Sequence, residues 1–167
     1  MSAPDPAEFP KIRAWIQSEA QKDLSDIKAF VDGQFAQLTE AINAVPPAQL
    51  AEPRDQGWSP IDALKHAVEW NWQVGEDILH VSLMGERPGN PTPTFEPERD
   101  ALLARQQESL DSVWAHVSAA DPQSFLDLTW PHPFFGELNW REWYFFIGVH
   151  CYDHKGQVLA MSEAASA

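Results

Sequence analysis

Apolar residues recur along this chain at mixed steps of three and four, the spacing of one helical face, and no stretch keeps up a period-two alternation. Four segments carry the pattern. The first runs from about Pro10 to Val45, with Trp15, Ile16, Ala20, Leu24, Ile27, Phe30, Val31, Phe35, Leu38 and Ile42 on its apolar stripe. Gly33 is the expected bend, and Pro46-Pro47 the stop, because a residue before proline is pushed out of the helical region. The second begins at Ser59, where Ser59-Pro60-Ile61-Asp62 sets a hydroxyl at the N-cap, proline at N1 and a carboxylate at N3. It should end near Met84, with Gly85 as C-cap. The third covers about Pro97 to Ala119. The fourth opens on Asn139-Trp140-Arg141-Glu142, close to a capping box, and runs to about Glu163. The fold class is all-α.

The connections add topology. Glu86 to Glu96 reads ERPGNPTPTFE, an extended, proline-rich segment. In polyproline II its span reaches roughly 34 Å, the length of a 22-residue helix, so the second and third helices are free to run parallel. Ala120 to Leu138 is longer than most structureless loops, and Trp130, His132, Phe134 and Phe135 mark it as a segment that packs.

Composition narrows the class. The chain has 167 residues and a formal charge of −14, the wrong sign for holding a polyphosphate backbone or an anionic membrane surface. Hydrophobic residues make up 44%, which disfavours wholesale disorder. No apolar run approaches the ~20 residues of a membrane span, and the N-terminus lacks the basic-then-apolar order of a signal peptide. Cys151 is the one cysteine, so no internal disulfide forms. The expectation is a cytoplasmic single domain over residues 1–167, with residues 1–10 a loose extension, and with neither nucleic acid nor membrane as partner.

Two of the six histidines stand at a chemically telling spacing. His150 and His154 form H-x-x-x-H, which on a helix puts both imidazoles on one face about 6 Å apart. A helical wheel sets them in the apolar stripe with Trp143, Phe146, Ile147, Val158 and Met161. Buried imidazoles need partners for an N–H and a lone pair each. Either a metal takes one lone pair from both, or each is neutral and hydrogen-bonded to its neighbours. Cys151 occupies the glutamate position of H-E-x-x-H, which disfavours the zincin protease mechanism, and it reads as a small core residue. His66 lies where the polar face of the second helix meets an apolar arc containing Ala63, Ala67 and Trp70. A third imidazole from there would make a site with open positions for water or substrate. His80 shares the polar face and reads as solvated, His116 has no partner spacing, and His132, in P-H-P, reads as a rim residue.

The segment Gly57-Trp58-Ser59-Pro60 through Leu64 to His66 resembles the W-S-P-x-x-x-L-x-H start of helix two in the DinB-like superfamily. His132-Pro133-Phe134-Phe135-Gly136-Glu137-Leu138, with Glu142-Trp143, is similar to that family's H-P-x-x-G-x-L-x-x-x-E-W, and His150-x-x-x-His154-x-x-Gln157 to its H-x-x-x-H-x-x-Q. The resemblance covers most of the chain from Trp58 onward. It implies a four-helix bundle in up-down-down-up order, with the long proline-rich crossover between helices 2 and 3, and frequent homodimers. It also implies a divalent metal, zinc or nickel, on His66, His150 and His154. The implied chemistry is metal-dependent hydrolysis, or transfer of a low-molecular-weight thiol as cosubstrate, on a small organic substrate. Gln157 is then an outer-shell residue and Glu69 a general base, an outer-shell carboxylate or simply a solvated face residue. Trp58, Trp70, Trp143, Phe134 and Phe135, with Ile147 beside the histidines, would wall the pocket. The alternative is a non-catalytic bundle that binds a small ligand or a protein, its metal structural or adventitious.

Overall fold

A computed structural model of the protein describes residues 6–86 and 91–164. Six helices and one small hairpin make up the described chain: α1 (Phe9–Glu19), α2 (Leu24–Ala44), α3 (Pro60–Gln73), α4 (Leu79–Met84), α5 (Arg99–Ala119), β1 (Thr129–His132), β2 (Gly136–Asn139) and α6 (Trp140–Ala164). Among the described residues no helix is long and apolar enough to cross a membrane.

Local chemistry sets the helix starts. At α3, Ser59 Oγ accepts the Asp62 N–H at 3.3 Å while Asp62 Oδ2 accepts the Ser59 N–H at 2.9 Å. At α6, Asn139 Oδ1 accepts from the backbone of Arg141 and Glu142 (3.0 and 3.1 Å), and Glu142 Oε2 returns the bond to the Asn139 N–H at 2.9 Å. Each box satisfies donors that the first helical turn leaves orphaned. Glu98 caps α5 by accepting from Asp100 and Ala101, and Gly85 ends α4 in the left-handed region at φ 70°.

Contacts between helices fix the topology. Phe145 of α6 stacks on Phe30 of α2 at 4.5 Å, and Lys155 donates to Gln37 at 2.8 Å, so α2 and α6 run parallel. Trp70 of α3 meets Trp143 at 5.7 Å, whereas the earlier His66 meets the later His154 at 5.1 Å, so α3 opposes α6. Asn71 faces Gln106 and His80 faces His116, so α3–α4 and α5 run parallel. The order is up-down-down-up, with the proline-rich crossover joining the two parallel rods. Residues 87–90 of that crossover, and residues 1–5 and 165–167, lie outside the described residues. The core is centred on α6, whose Trp140, Trp143, Tyr144, Phe145 and Ile147 are essentially inaccessible to solvent. Full burial of one such ring contributes roughly 1.5–3 kcal/mol.

Three expectations need correction. The first helix is two, and the break falls at residues 20–23 rather than at Gly33, which sits within α2. There the buried guanidinium of Arg141 accepts no further helix: it donates to the backbone carbonyls of Ala20 (2.7 Å) and Lys22, and also to that of Pro122 (3.0 Å). The second helix carries a π turn over Val74–Ile78 between α3 and α4. A Cβ on Gly75 would lie 2.4 Å from Val113 Cγ2, so the turn sits where the backbone approaches α5 too closely for any side chain. The Ala120–Leu138 connection contains strands, β1 pairing antiparallel with β2 from Thr129↔Asn139 to His132↔Gly136. Ahead of α1, Pro6–Glu8 forms a short turn, and Phe9 at the start of α1 packs on Phe134 and Phe135.

Candidate metal centre

Two helices and one turn build the centre. α6 delivers His150 and His154 on one face, and α3, running the opposite way, delivers His66. Each of the three offers a nitrogen, and these atoms all lie within 4.8 Å of one another. The ring centroids are 5.6 Å (His66–His150), 5.1 Å (His66–His154) and 4.5 Å (His150–His154) apart.

The outer partners decide which nitrogens face inward. Asp55 Oδ2 is a carboxylate oxygen and accepts from Gln157 Nε2 at 3.1 Å. That orients the Gln157 amide so that Oε1 stands 2.9 Å from His154 Nδ1, which must therefore carry its proton. Asn71 donates through Nδ2 to Gln106 Oε1 and Cys151 Sγ (3.3 Å each), leaving Oδ1 to accept from His150 Nδ1 at 3.1 Å. With both Nδ1 atoms protonated, both Nε2 atoms present lone pairs, and they point at one another across 3.0 Å. Only a proton or a metal ion relieves such a pair. Burial disfavours the proton: desolvation, then the neighbouring His66, lowers His154 to about 4. His150 lies well below its ordinary value through desolvation and the adjacent His154, His66 and His132, and desolvation also lowers His66 against the pull of Glu69. Three neutral imidazoles, two of them with fixed tautomers and oxygen-bound outer N–H groups, fit a divalent ion. A three-imidazole donor set of this kind would suit zinc with one position left open.

The turn Asp55–Gln56–Gly57–Trp58 serves the site from both ends. Trp58 N–H closes it on Asp55 O at 2.8 Å, and Gln56 and Gly57 take φ of 51° and 91°, the signature of a type I′ turn. One end places Asp55 on Gln157; the other sets the Trp58 ring 5.2 Å from His66, edge to face. Trp70 lies 5.3 Å from His150 and also touches Trp143 and His132. Trp143 is buried and donates through Nε1 to Trp130 O at 3.1 Å, and Ile147 is buried in the core. Phe135 is buried, but Phe134 is about half exposed and leans on Phe9 instead of walling the site. Glu69 is ion-paired to Lys65 at 3.5 Å, and its charge acts on His66 against the lowering by burial.

Asn71, Gln106 and Asp55 escaped the sequence reading. Asn71 left a faint signal, a polar residue among the apolar positions Ala67, Val68 and Val74. His132 is buried rather than at a rim. Its Nδ1 accepts the N–H of Phe134 and Phe135 (3.1 and 3.3 Å), capping the hairpin loop, and desolvation lowers it to about 4. His80 is also buried, not solvated: its Nδ1 donates to Gly75 O at 3.1 Å. Cys151 is a core residue, its thiol pushed up to about 12 by burial.

Beside the centre lies an open groove of about 570 Å³ between α3 and the crossover, bounded by His66, Glu69, Trp70, Trp72 and Asp77 on one side and Thr92–Phe95 on the other.

A solved structure described as a four-helix bundle protein, TT2238, superposes with a TM-score of 0.63 at 22% identity, covering 83% of this chain and 99% of that one. The likeness establishes the shared fold. No curated protein matches the chain at a significant level. The family model of the DinB superfamily matches residues 31–158, most of the chain and all three converging histidines, and the protein belongs to that superfamily.

Proposed function

We propose that this protein is a divalent-metal-dependent enzyme, zinc or nickel sitting on His66, His150 and His154, that hydrolyses a small organic substrate or transfers a low-molecular-weight thiol to it. The observation that carries this reading is the facing pair of Nε2 lone pairs, held 3.0 Å apart by outer amides that have already claimed both Nδ1 protons. A bound ion supplies an open position that lowers the pKa of a water or holds a thiolate. The protein's own part is orientation and exclusion. Gln157 and Asn71 fix the two imidazoles of α6, Asp55 fixes Gln157, and Trp58 and Trp70 cover the rings from either side. Glu69, paired with Lys65, is poorly placed as a general base.

The test is metal content in protein purified without an affinity tag. Wild type should carry about one ion per chain, and His66→Ala, His150→Ala and His154→Ala should each lose it. Full retention by all three variants ends the proposal. A homodimer belongs to the same proposal, supported by the exposed Tyr152 and Leu159, one heptad apart on α6; light scattering on the eluting protein reads it directly.

A further inference from the structure

The groove beside the centre has two unlike ends. His66, Glu69, Trp70, Gln73 and Asp77 follow one another along a single face of the second rod, and about 15 Å of helix separates His66 from Asp77. At the near end stand the imidazoles, and the carboxylate of Glu69 is already met by Lys65. At the far end Asp77, part-buried on the π turn, has no cation and no hydrogen-bond donor in contact among the described residues. Two aromatic rings line the same groove. Trp72 lies edge-on to Phe95 at 6.1 Å, and Phe95 belongs to the crossover, so the two walls of the groove meet there. An aromatic face presents negative potential and a carboxylate presents a full negative charge, so both attract the same thing. The −14 charge of the chain adds to that field at long range.

We infer that the groove takes an elongated organic substrate bearing a positively charged amine, which seats against Asp77, Trp72 and Phe95 while the reacting group reaches His66. This rests on the reading of the three histidines as the reactive centre; the amine seat itself needs no metal. A substrate or cosubstrate with a carboxylate at that end is repelled, which leaves neutral or cationic thiols as the ones the groove admits.

The experiment uses the full-length protein and three probes of equal length: phenylbutyl-trimethylammonium, its uncharged tert-butyl isostere and the corresponding carboxylate. Binding is read by calorimetry, with metal content measured on the same samples. The cation should bind about tenfold more tightly than the isostere, with the carboxylate weakest. Asp77→Asn, checked for an unchanged melting transition, should bring cation and isostere to near equality with no change in metal content. Trp72→Leu should weaken both and reduce the preference as well. His66→Ala should keep it. Equal binding of cation and isostere by wild type, no binding of either, a preference intact in Asp77→Asn, or one lost with His66 overturns the inference. A wild type that shows the preference but holds no metal would fell the metal reading while leaving the amine seat standing.

Discussion

Two pairs of histidines in this molecule have their ring centroids 4.5 Å apart, His150 with His154 and His80 with His116. Their surroundings differ in every respect that matters for an ion. The first pair sits on one helix, each Nδ1 is claimed by an amide oxygen, and a third imidazole completes the set. The second pair spans two helices. His80 donates to Gly75 O, His116 is exposed in the last turn of α5, and no third ligand converges on them among the described residues. Closeness of rings is therefore a poor guide. Outer partners that commit one nitrogen, and so aim the other, separate a metal centre from two neighbouring side chains.

The comparison can be broken most directly by truncation. His154→Ala should abolish stoichiometric metal, whereas the double variant His80→Ala/His116→Ala should keep all of it, both read by elemental analysis. Equal losses from the two would erase the distinction drawn above. A subtler cut removes only the outer partners: Asn71→Leu or Gln157→Leu should weaken metal affinity about 10- to 100-fold by chelator competition while the three ligands remain. Affinity unchanged in both would show that tautomer control contributes nothing.

Acid sharpens the contrast in the metal-free protein. His132 is lowered to about 4 in the fold and returns to about 6.5 when unfolded. The unfolded chain thus binds the extra proton first. Stability is full above about pH 6.5 and falls as the pH drops towards 4, by roughly 3 kcal/mol for this residue. His154, His150 and His66 are lowered as well and add to the same slope. Chemical denaturation across that window should therefore show it, and His132→Asn should make it shallower without abolishing it; a variant with the wild-type slope would assign the acid sensitivity to the other three. The smallest effect is expected from Gly75→Ala. The new methyl would meet Val113 and cost about 1–3 kcal/mol of stability near the His80 pair, with metal content unchanged.

What could be read along the chain and what could not divides by range. The caps of α3 and α6 are local exchanges between residues three apart, and the countable reach of the proline-rich crossover allows parallel second and third helices, the order itself being what the family resemblance implies. The H-x-x-x-H spacing likewise fixes a shared face without reference to the rest of the molecule. The break between α1 and α2 was hidden because the group that draws off the carbonyls of Ala20 and Lys22 is Arg141, far along the sequence. The hairpin was hidden because each strand has four residues, one contains Pro131, and its loop is capped by a histidine instead of a familiar turn residue. The π turn answers a contact with Val113 that no periodicity encodes. At the centre, ligand histidines announce themselves by type and spacing. Asn71 and Asp55 are ordinary polar residues until the fold shows what they hold.

His66 and His150 lie more than eighty positions apart in the chain, and an ion gripping both would act as a reversible cross-link in a protein whose single cysteine can form none internally. Closing a loop of that size takes on the order of 4 kcal/mol of freedom from the unfolded ensemble, by analogy with a disulfide. Heat resistance would then track the free metal concentration around the protein, so that starvation for the ion removes a staple as well as a reagent.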